Sequence, residues 1–549
     1  MESTSSSTGP ISLGPSRSER YYPTRSVVLS PLSFDRVGDG RPVTSQTLLF
    51  RLPIELVQEV VAYLNTSDLR SLALVDRDCR QLAQSRLFTS ILLDYSDKKR
   101  ALLDKLSHHE AQSRRDNGGV TESPSIGPCI RRVTVTPRPW KPISHHWVQS
   151  PADGSIGKEK ECAMHGVVGG FRGSYLLDIA EALRFSLPNL DEFIWRERIE
   201  FTQHILTAIA SSPIRHLGLH GVWLPLDREY QLPPLEQQRW ALRSLSLRVG
   251  SNPHNNWRGW EVNNFFLTIL KAAAPTLEKL SWRGHQKAKL SFDNNAIRFP
   301  RLRTLSFSNC ILDDTALDAF FPADTENYLL RSISVNVRVW RGWESLAQCG
   351  RIRGLESLRL YAFRSDPPDS KATDAALFSA TPRLKSLTLL AFTPENLTTT
   401  LLPLLASEFK FLTTLIVYFT FTRADPSSEF LAAIGRITSL SSLWVVAGRH
   451  HDWSANVPLT IAALSPLRNL ARLGLSRQYT TVFSLVQEPE GQYQERMRNI
   501  VELYVRAFRE LRWVYFELLV HRVVGNAVVT EEGGLRRYSP AALWETPDW

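Results

Sequence analysis

The sequence predicts an α/β solenoid, a long stack of strand-plus-helix units preceded by a small three-helix module and a disordered tail. Three observations predict it. A short pattern, apolar-x-x-apolar-x-apolar, recurs twelve times between Leu190 and Phe516. From Leu190 to Leu470 ten steps cover 280 residues, a mean period of 28, which lies inside the range of roughly 20–29 residues for strand-plus-helix repeats. Upstream of residue 95 the apolar residues follow helical spacing instead, and upstream of residue 47 they thin out.

Taken in order, residues 1–46 are rich in Ser, Thr, Pro and Arg and cannot bury enough surface to order themselves, so they read as a disordered tail. Residues 47–95 change character. Pro53 suits the first turn of a helix, where its missing N–H costs nothing. Leu52, Leu56, Val60 and Leu64 then fall at i, i+4 spacing along one stripe. Asn65-Thr66-Ser67 interrupts and supplies a helix cap. Leu69, Leu72, Ala73 and Val75 form a second apolar face, and Arg77 to Phe88 a third helix through Leu82, Ala83 and Leu87. A bundle this small has little core of its own and gains from docking to something else. Residues 96–128 begin as a charged amphipathic helix and end in Gly/Ser/Pro turns, which marks a linker.

From 129 to 549 the chain reads as one repeat domain. Ile130 to Val135 gives a first strand, and a Pro- and Gly-rich insertion at about 137–173 follows. Loops of that length within a compact array are either functional or disordered, and nothing in its composition decides between the two. The twelve units then open at Leu190, Ile214, Leu242, Leu277, Leu302, Leu330, Leu355, Leu384, Leu412, Leu440, Leu470 and Leu511. Between them 199–210, 262–273, 397–406 and 430–434 carry helical apolar spacing for the outer layer.

In each unit the first, fourth and sixth positions point inward, and the third, fifth and seventh line the other face of the sheet. That face runs from basic (Arg132, Arg196, His216, His220, Arg248, Lys279, Arg283) through small and polar (Thr304, Ser306, Ser332, Ser334) to aromatic (Arg359, Tyr361, Tyr418, Trp444, Trp513, Tyr515). Exposed aromatics are enriched where proteins bind one another, and clustered cations suit an acidic or phosphorylated segment. The candidate target-binding residues are therefore Arg248, Arg283, Arg359, Tyr361, Tyr418, Trp444, Trp513 and Tyr515. The alternative is that the C-terminal residues fold back and cover the aromatics, since solenoid ends need capping.

Composition bounds the function. Five scattered cysteines favour a reducing compartment. The N-terminus lacks a secretory h-region and no run approaches 18 apolar residues, so the expected location is cytoplasmic or nuclear, with no membrane partner. A net charge of +10 over 549 residues is a modest bias toward acidic partners and makes nucleic acid an unlikely one. His145, His146, Cys162 and His165 do not match compact zinc spacing. No G-x-S-x-G, H-E-x-x-H or phosphate-loop pattern is present. The expectation is a non-enzyme without cofactor.

Two resemblances sharpen this. Leu52-Pro53-x-Glu55-Leu56, Val60, Leu64, Asp68-Leu69, Leu72, Leu74-Val75, Arg77, Cys79-Arg80 and Leu82-Ala83 resemble an F-box, covering nearly all of that motif. Arg80 stands where many members carry Trp at or beside this point. The repeats resemble leucine-rich-repeat proteins over about two thirds of the chain, although the Asn or Cys expected three residues after the last apolar position appears only as Cys310. The resemblance implies an irregular leucine-rich-repeat horseshoe whose concave face binds a target protein. It further implies that Leu52, Pro53, Leu56, Val60, Leu64, Leu69, Leu72 and Val75 hold a Skp-type adaptor, and through it a cullin, within a ubiquitin ligase. A scaffold with a vestigial F-box is the alternative, and a basic nucleic-acid binder a weaker third. The module itself also reads as a plain helical cap on the array.

Overall fold

The computed structural model describes residues 29, 37, 43–94, 96–115, 126–136, 174–196, 201–222, 240–249, 259–292, 297–322, 329–336, 352–361, 378–390, 397–419, 426–448, 451–477, 489–517, 519–525 and 527–530. The expected insertion at about 137–173 and the candidate histidine–cysteine cluster within it lie outside the described residues, as does nearly all of 1–42.

Three helices come first, α1 (Ile54–Tyr63), α2 (Thr66–Leu72) and α3 (Arg77–Leu87). Pro53 is the N-cap of α1 rather than part of its first turn. The Asn65 side chain accepts from the Ser67 and Asp68 amides and starts α2, and Asp76 accepts from the Cys79 amide and starts α3. Their shared core is small: Val57, Val61, Leu69, Leu82 and Ala83. Residues assigned above to the tail are hydrogen-bonded to the start of α3. Asp78 accepts from the Thr44 amide and the Ser45 amide, both at 2.6 Å, and the Ser45 hydroxyl donates to Asp76 at 2.5 Å.

The rest is one sheet of sixteen strands in sequential order, unclosed. It starts earlier than 129. Strand β1 (Ser90–Leu93) follows α3 almost directly and pairs with β2 (Arg132–Val135), across the connecting helix α4 (Asp97–Arg115). Next come β3 (Glu192–Trp195), α5 (Gln203–Ser211), β4 (His216–Val222), β5 (Ser244–Val249), α6 (Gly259–Ala273), β6 (Lys279–Leu290), β7 (Thr304–Leu312) and α7 (Asp314–Phe320). They are followed by β8 (Ser332–Asn336), β9 (Ser357–Tyr361), β10 (Ser386–Leu390), α8 (Leu402–Glu408), β11 (Thr414–Tyr418), α9 (Ser428–Gly435), β12 (Ser442–Ala447), α10 (Val457–Leu464), β13 (Arg472–Arg477), α11 (Glu490–Ala507) and β14 (Trp513–Phe516). From β1 to β14 every neighbour is parallel. A final pair, β15 (Leu519–Val524) and β16 (Ala527–Thr530), turns back antiparallel.

All twelve sequence units form strands in this sheet, and their fourth positions lie in one register row, from Phe193 through Leu217, Leu245 and Leu280 to Leu473 and Val514. The first, fourth and sixth positions are at most 3% exposed in every unit. That decides the face assignment: these side chains form the continuous core with helix residues such as Ile205, Phe266, Phe320, Phe430, Leu464 and Tyr504. Parallel strands covered on one side by helices are the expected consequence of an α/β repeat. Irregularity enters as register shifts between His220 and Val222 and between Arg283 and Ala288.

The scarcity of Asn after the strands has a structural counterpart. In three units the residue just before the first apolar position carries a polar side chain that bonds the preceding unit. Asn189 donates to the Pro128 carbonyl at 2.9 Å, Thr276 to that of Leu242 at 2.9 Å, and Ser439 to that of Leu412 at 2.7 Å. Each satisfies a carbonyl of the preceding unit that would otherwise be buried unpaired.

Candidate functional site

Two surfaces carry the candidate residues. On the helical module, α1 splits its apolar side chains between two faces. Val57 and Val61 enter the core, while Leu52 (43% exposed), Leu56 (47%), Val60 (44%) and Tyr63 (84%) lie outward at i, i+4, i+8 and i+11. Leu74 and Val75, in the turn between α2 and α3, are 81% and 59% exposed, and Leu48 is 74% exposed. Exposed apolar side chains gathered on one small module mark an interaction surface. Of the eight predicted adaptor-binding residues, Leu52, Pro53, Leu56, Val60 and Val75 are exposed, whereas Leu64 and Leu72 are half-buried and Leu69 is 4% exposed in the module core. Leu69 supports the surface from beneath. Leu48, Tyr63 and Leu74 were missed, although i, i+4, i+8, i+11 spacing from Leu52 reaches Tyr63.

Cys79, beside this face, is not a reactive thiol. Burial, then the hydrogen bond and charge of Asp76, push it up to about 11, and burial pushes Cys129 up to about 12. A thiolate is what attacks or ligates.

The second surface is the sheet face opposite the helices, the face expected to be concave. At its early end, Arg132 is ion-paired with Glu192 of the next strand. His220 Nε2 lies 3.0 Å from the Ser246 hydroxyl. Burial, then the charges of Arg196 and Arg248, depress His220 to about 3, so the imidazole is neutral. Arg248 and Arg359 are half-buried and Arg283 exposed; Tyr361 is placed in β9 by its backbone register with Leu390.

At the late end the aromatics do not stand free. Trp444 and Tyr515 are 6% and 5% exposed, and with Ile416, Val446 and Val520 they make a second hydrophobic cluster, flanked by Tyr418 and Trp513. The arrangement rests on Gly474. It lies between Trp444 and Tyr515 in register on three adjacent strands. The two rings lean over it to a centroid separation of 4.5 Å. Trp444 Nε1 donates to the Ser476 hydroxyl at 3.1 Å. Val520 of β15, paired with Tyr515, closes the far side. The expectation that Trp444 and Tyr515 are exposed platforms is therefore corrected: neighbouring strands and the C-terminal hairpin bury them. Tyr418 and Trp513 keep partial exposure, and the Arg522 guanidinium lies 5.6 Å from the Trp513 ring centroid. Arg472, Gly474, Trp513 and Val520 line a shallow, mostly apolar cleft there.

Among the described residues no group of three or more His, Cys, Asp or Glu side chains converges to hold a metal, and no helix is long and apolar enough to cross a membrane.

No family model matches the chain. No curated protein matches it. Among solved structures, the leucine-rich repeat-containing protein LegL7 from Legionella pneumophila is similar at 14% identity, over 51% of this chain and 86% of that one, with a TM-score of 0.29. At that score the likeness carries no argument, and the repeat character of the sheet rests on its own period, register and burial.

Proposed function

We propose that the chain is the target-recognition subunit of a cullin–RING ubiquitin ligase, with the helical module holding a Skp-type adaptor and the sheet holding a target protein. One observation carries this reading: the exposed row Leu52, Leu56, Val60 and Tyr63, with Leu74 and Val75 also exposed, on a module whose own core is only five residues. Three more features support it. The row sits on helices, so it offers a rigid ridge for a helix or groove of a partner. The F-box-like order from Leu52 to Ala83 supplies residues of the right type along the same ridge. The repeat sheet provides a broad second surface, and recognition is what repeat arrays of this kind are built for. In such an assembly the chemistry belongs to partner enzymes, and this chain contributes proximity, by raising the effective concentration of the target near them.

The test is capture of a purified Skp-type adaptor by the full chain. Leu56→Asp with Val60→Asp places charges on the exposed row without touching the core and is expected to lower adaptor affinity at least a hundredfold, with an unchanged melting temperature. Capture that survives this double change refutes the reading, as does a wild-type chain that never binds the adaptor.

A further inference from the structure

Charge is distributed very differently over two rows of the same sheet. At the second position of the units from Leu190 to Leu384, where the chain enters the strand, three carboxylates stand among five cations and pair with them. Arg215 lies 3.9 Å from Asp191, Arg243 3.9 Å from Glu278, and Glu356 contacts both Arg331 at 3.8 Å and Lys385 at 2.9 Å. Each of these carboxylates is met by a cation of a neighbouring unit. On the open face the pattern differs. From β4 through β13 no Asp or Glu occupies a third, fifth or seventh position of any strand, while His216, His220, Arg248, Lys279, Arg283, Arg359 and Arg472 do. Acidic residues reappear on that face only at the two ends, as Glu192 beside Arg132 and as Glu517 beside Arg477.

The cations are also gathered. His220, Arg248 and Arg283 are register partners on three adjacent strands, with Arg196 immediately after β3. Below them run a full row of hydroxyls, Ser246–Ser281–Ser306–Ser334, and a second row, Ser244–Lys279–Thr304–Ser332, in which Lys279 adds a cation, again partner to partner. The low pKa of His220 reports the same field: besides burial, Arg196 and Arg248 oppose a further positive charge there. Parallel, hydroxyl-floored and cation-rimmed, the strip matches an anionic chain laid across the strands.

We infer that the open face between β4 and β9 binds an extended acidic segment of a protein, its carboxylate or phosphate groups against Arg248, Arg283 and Arg359. Five inter-strand steps cover about 24 Å, which about seven residues of extended chain span. A protein segment fits better than single-stranded nucleic acid. From β4 to β8 the third, fifth and seventh positions hold no Phe, Tyr or Trp, and sequence-tolerant binding of single strands depends on aromatic platforms for the bases. This inference rests on the target-binding role proposed for the sheet and adds the chemistry of the target.

The experiment uses the full chain and five fluorescein-labelled probes of equal length: an alternating Glu-Ser peptide, its Gln-Ser and Lys-Ser counterparts, a Gln-Ser peptide carrying phosphoserines, and an oligouridine. Fluorescence anisotropy is read at low and physiological salt. The Glu-Ser or phosphoserine peptide is expected to bind at least tenfold more tightly than the Gln-Ser peptide, and more tightly as salt falls. A phosphoserine advantage assigns phosphate as the group recognised, and parity assigns carboxylate; both support the inference. Arg248→Ala with Arg283→Ala should remove at least tenfold of the affinity, while Lys385→Ala, at the strand edge where Glu356 holds the ammonium, changes it less than twofold. Arg248→Glu with Arg283→Glu should transfer the preference to the Lys-Ser peptide, which only a folded sheet can do. Equal binding of acidic and neutral peptides, indifference to the double Ala variant, or tighter binding of oligouridine at the same arginines each overturns the inference. Adaptor capture by the same variants stays intact throughout, so failure here is distinguishable from failure of the ligase reading.

Discussion

Gly474 offers the sharpest test of how the late sheet is built. A Cβ at this position would stand 2.5 Å from Trp444 Cγ and 2.7 Å from Cε2, well inside van der Waals contact. The indole cannot simply swing aside. Its far face meets Tyr515 at a 4.5 Å centroid separation, and its Nε1 is tied to the Ser476 hydroxyl. Gly474→Ala therefore forces either a shift of Trp444 with loss of the indole hydrogen bond or a bend of β13. Overpacking a close-packed site costs about 1–3 kcal/mol, and a buried hydrogen bond contributes about 1 kcal/mol. Their sum, about 2–4 kcal/mol, is the expected destabilisation, larger for Gly474→Val, because a β-branched side chain adds bulk toward the same ring. Urea denaturation gives the free energy, and the near-ultraviolet circular dichroism difference between variant and wild type reports the change in aromatic packing. A Gly474→Ala protein within about 0.5 kcal/mol of wild type, with an unchanged aromatic signal, would refute the account of the cluster, because a substitution of this kind stays that small only away from tight packing.

Other expectations follow from burial. Leu305, Leu358 and Leu387 are at most 1% exposed at the fourth position of central units; truncation of any one to Ala should cost about 2–5 kcal/mol in denaturation experiments, and a surface-like effect at all three would mean that the register is wrong. His521 is fully buried, its Nδ1 3.1 Å from the Thr530 hydroxyl, and burial, then the charge of Arg498, depresses it to about 4. Its folded pKa lies below the unfolded value of about 6.5, so the unfolded chain binds the extra proton between these two values and stability falls as pH drops through that window, by on the order of 3 kcal/mol at its lower end. His521→Gln should flatten that part of the stability profile, measured as melting temperature against pH.

The strand register was legible because its signal repeats. Each inward position is specified by a large apolar side chain, and a one-residue slip in any unit would bring its polar partners into the core. Helix positions were legible to within a few residues for the same reason, as at Gly259–Ala273 and Ser428–Gly435. What escaped were features with one instance each. β1 at Ser90–Leu93 does fit the unit pattern, through Phe88, Ile91 and Leu93, but it stands as one copy at the end of a stretch whose other apolar residues follow helical spacing, and the sheet pairing with β2 reveals it. Burial of Trp444 and Tyr515 depends on a glycine between them in space but thirty residues from one and forty-one from the other in the chain. Alternation places an aromatic on the open face; it does not say whether its neighbours across the sheet are small enough for rings to close over them. On the module, helical spacing found the apolar side chains but assigned one stripe where α1 has two, because Val57 and Val61 lie one residue beyond Leu56 and Val60.

The way the module joins the sheet bears on what the chain can do. The Thr89 carbonyl, just after α3, accepts from the Arg131 and Arg132 amides at 3.0 and 2.9 Å, so the sheet ladder begins where the helices stop. Gln81 of α3 reaches Cys129 Sγ at 3.5 Å and the Val37 carbonyl at 2.6 Å, both buried. No flexible spacer separates the exposed row on α1 from the first strands. Rigid coupling of this kind fixes the distance and angle between whatever the module holds and whatever the open face holds, whereas a flexible linker would spread the effective concentration over a wide volume. A protein whose contribution is proximity gains from that rigidity, since geometry alone then decides which part of a bound target comes near a partner enzyme. In the function proposed above, the exposed apolar row and the carboxylate-free strip would be two sites on one lever, and neither would need to move for the other to work.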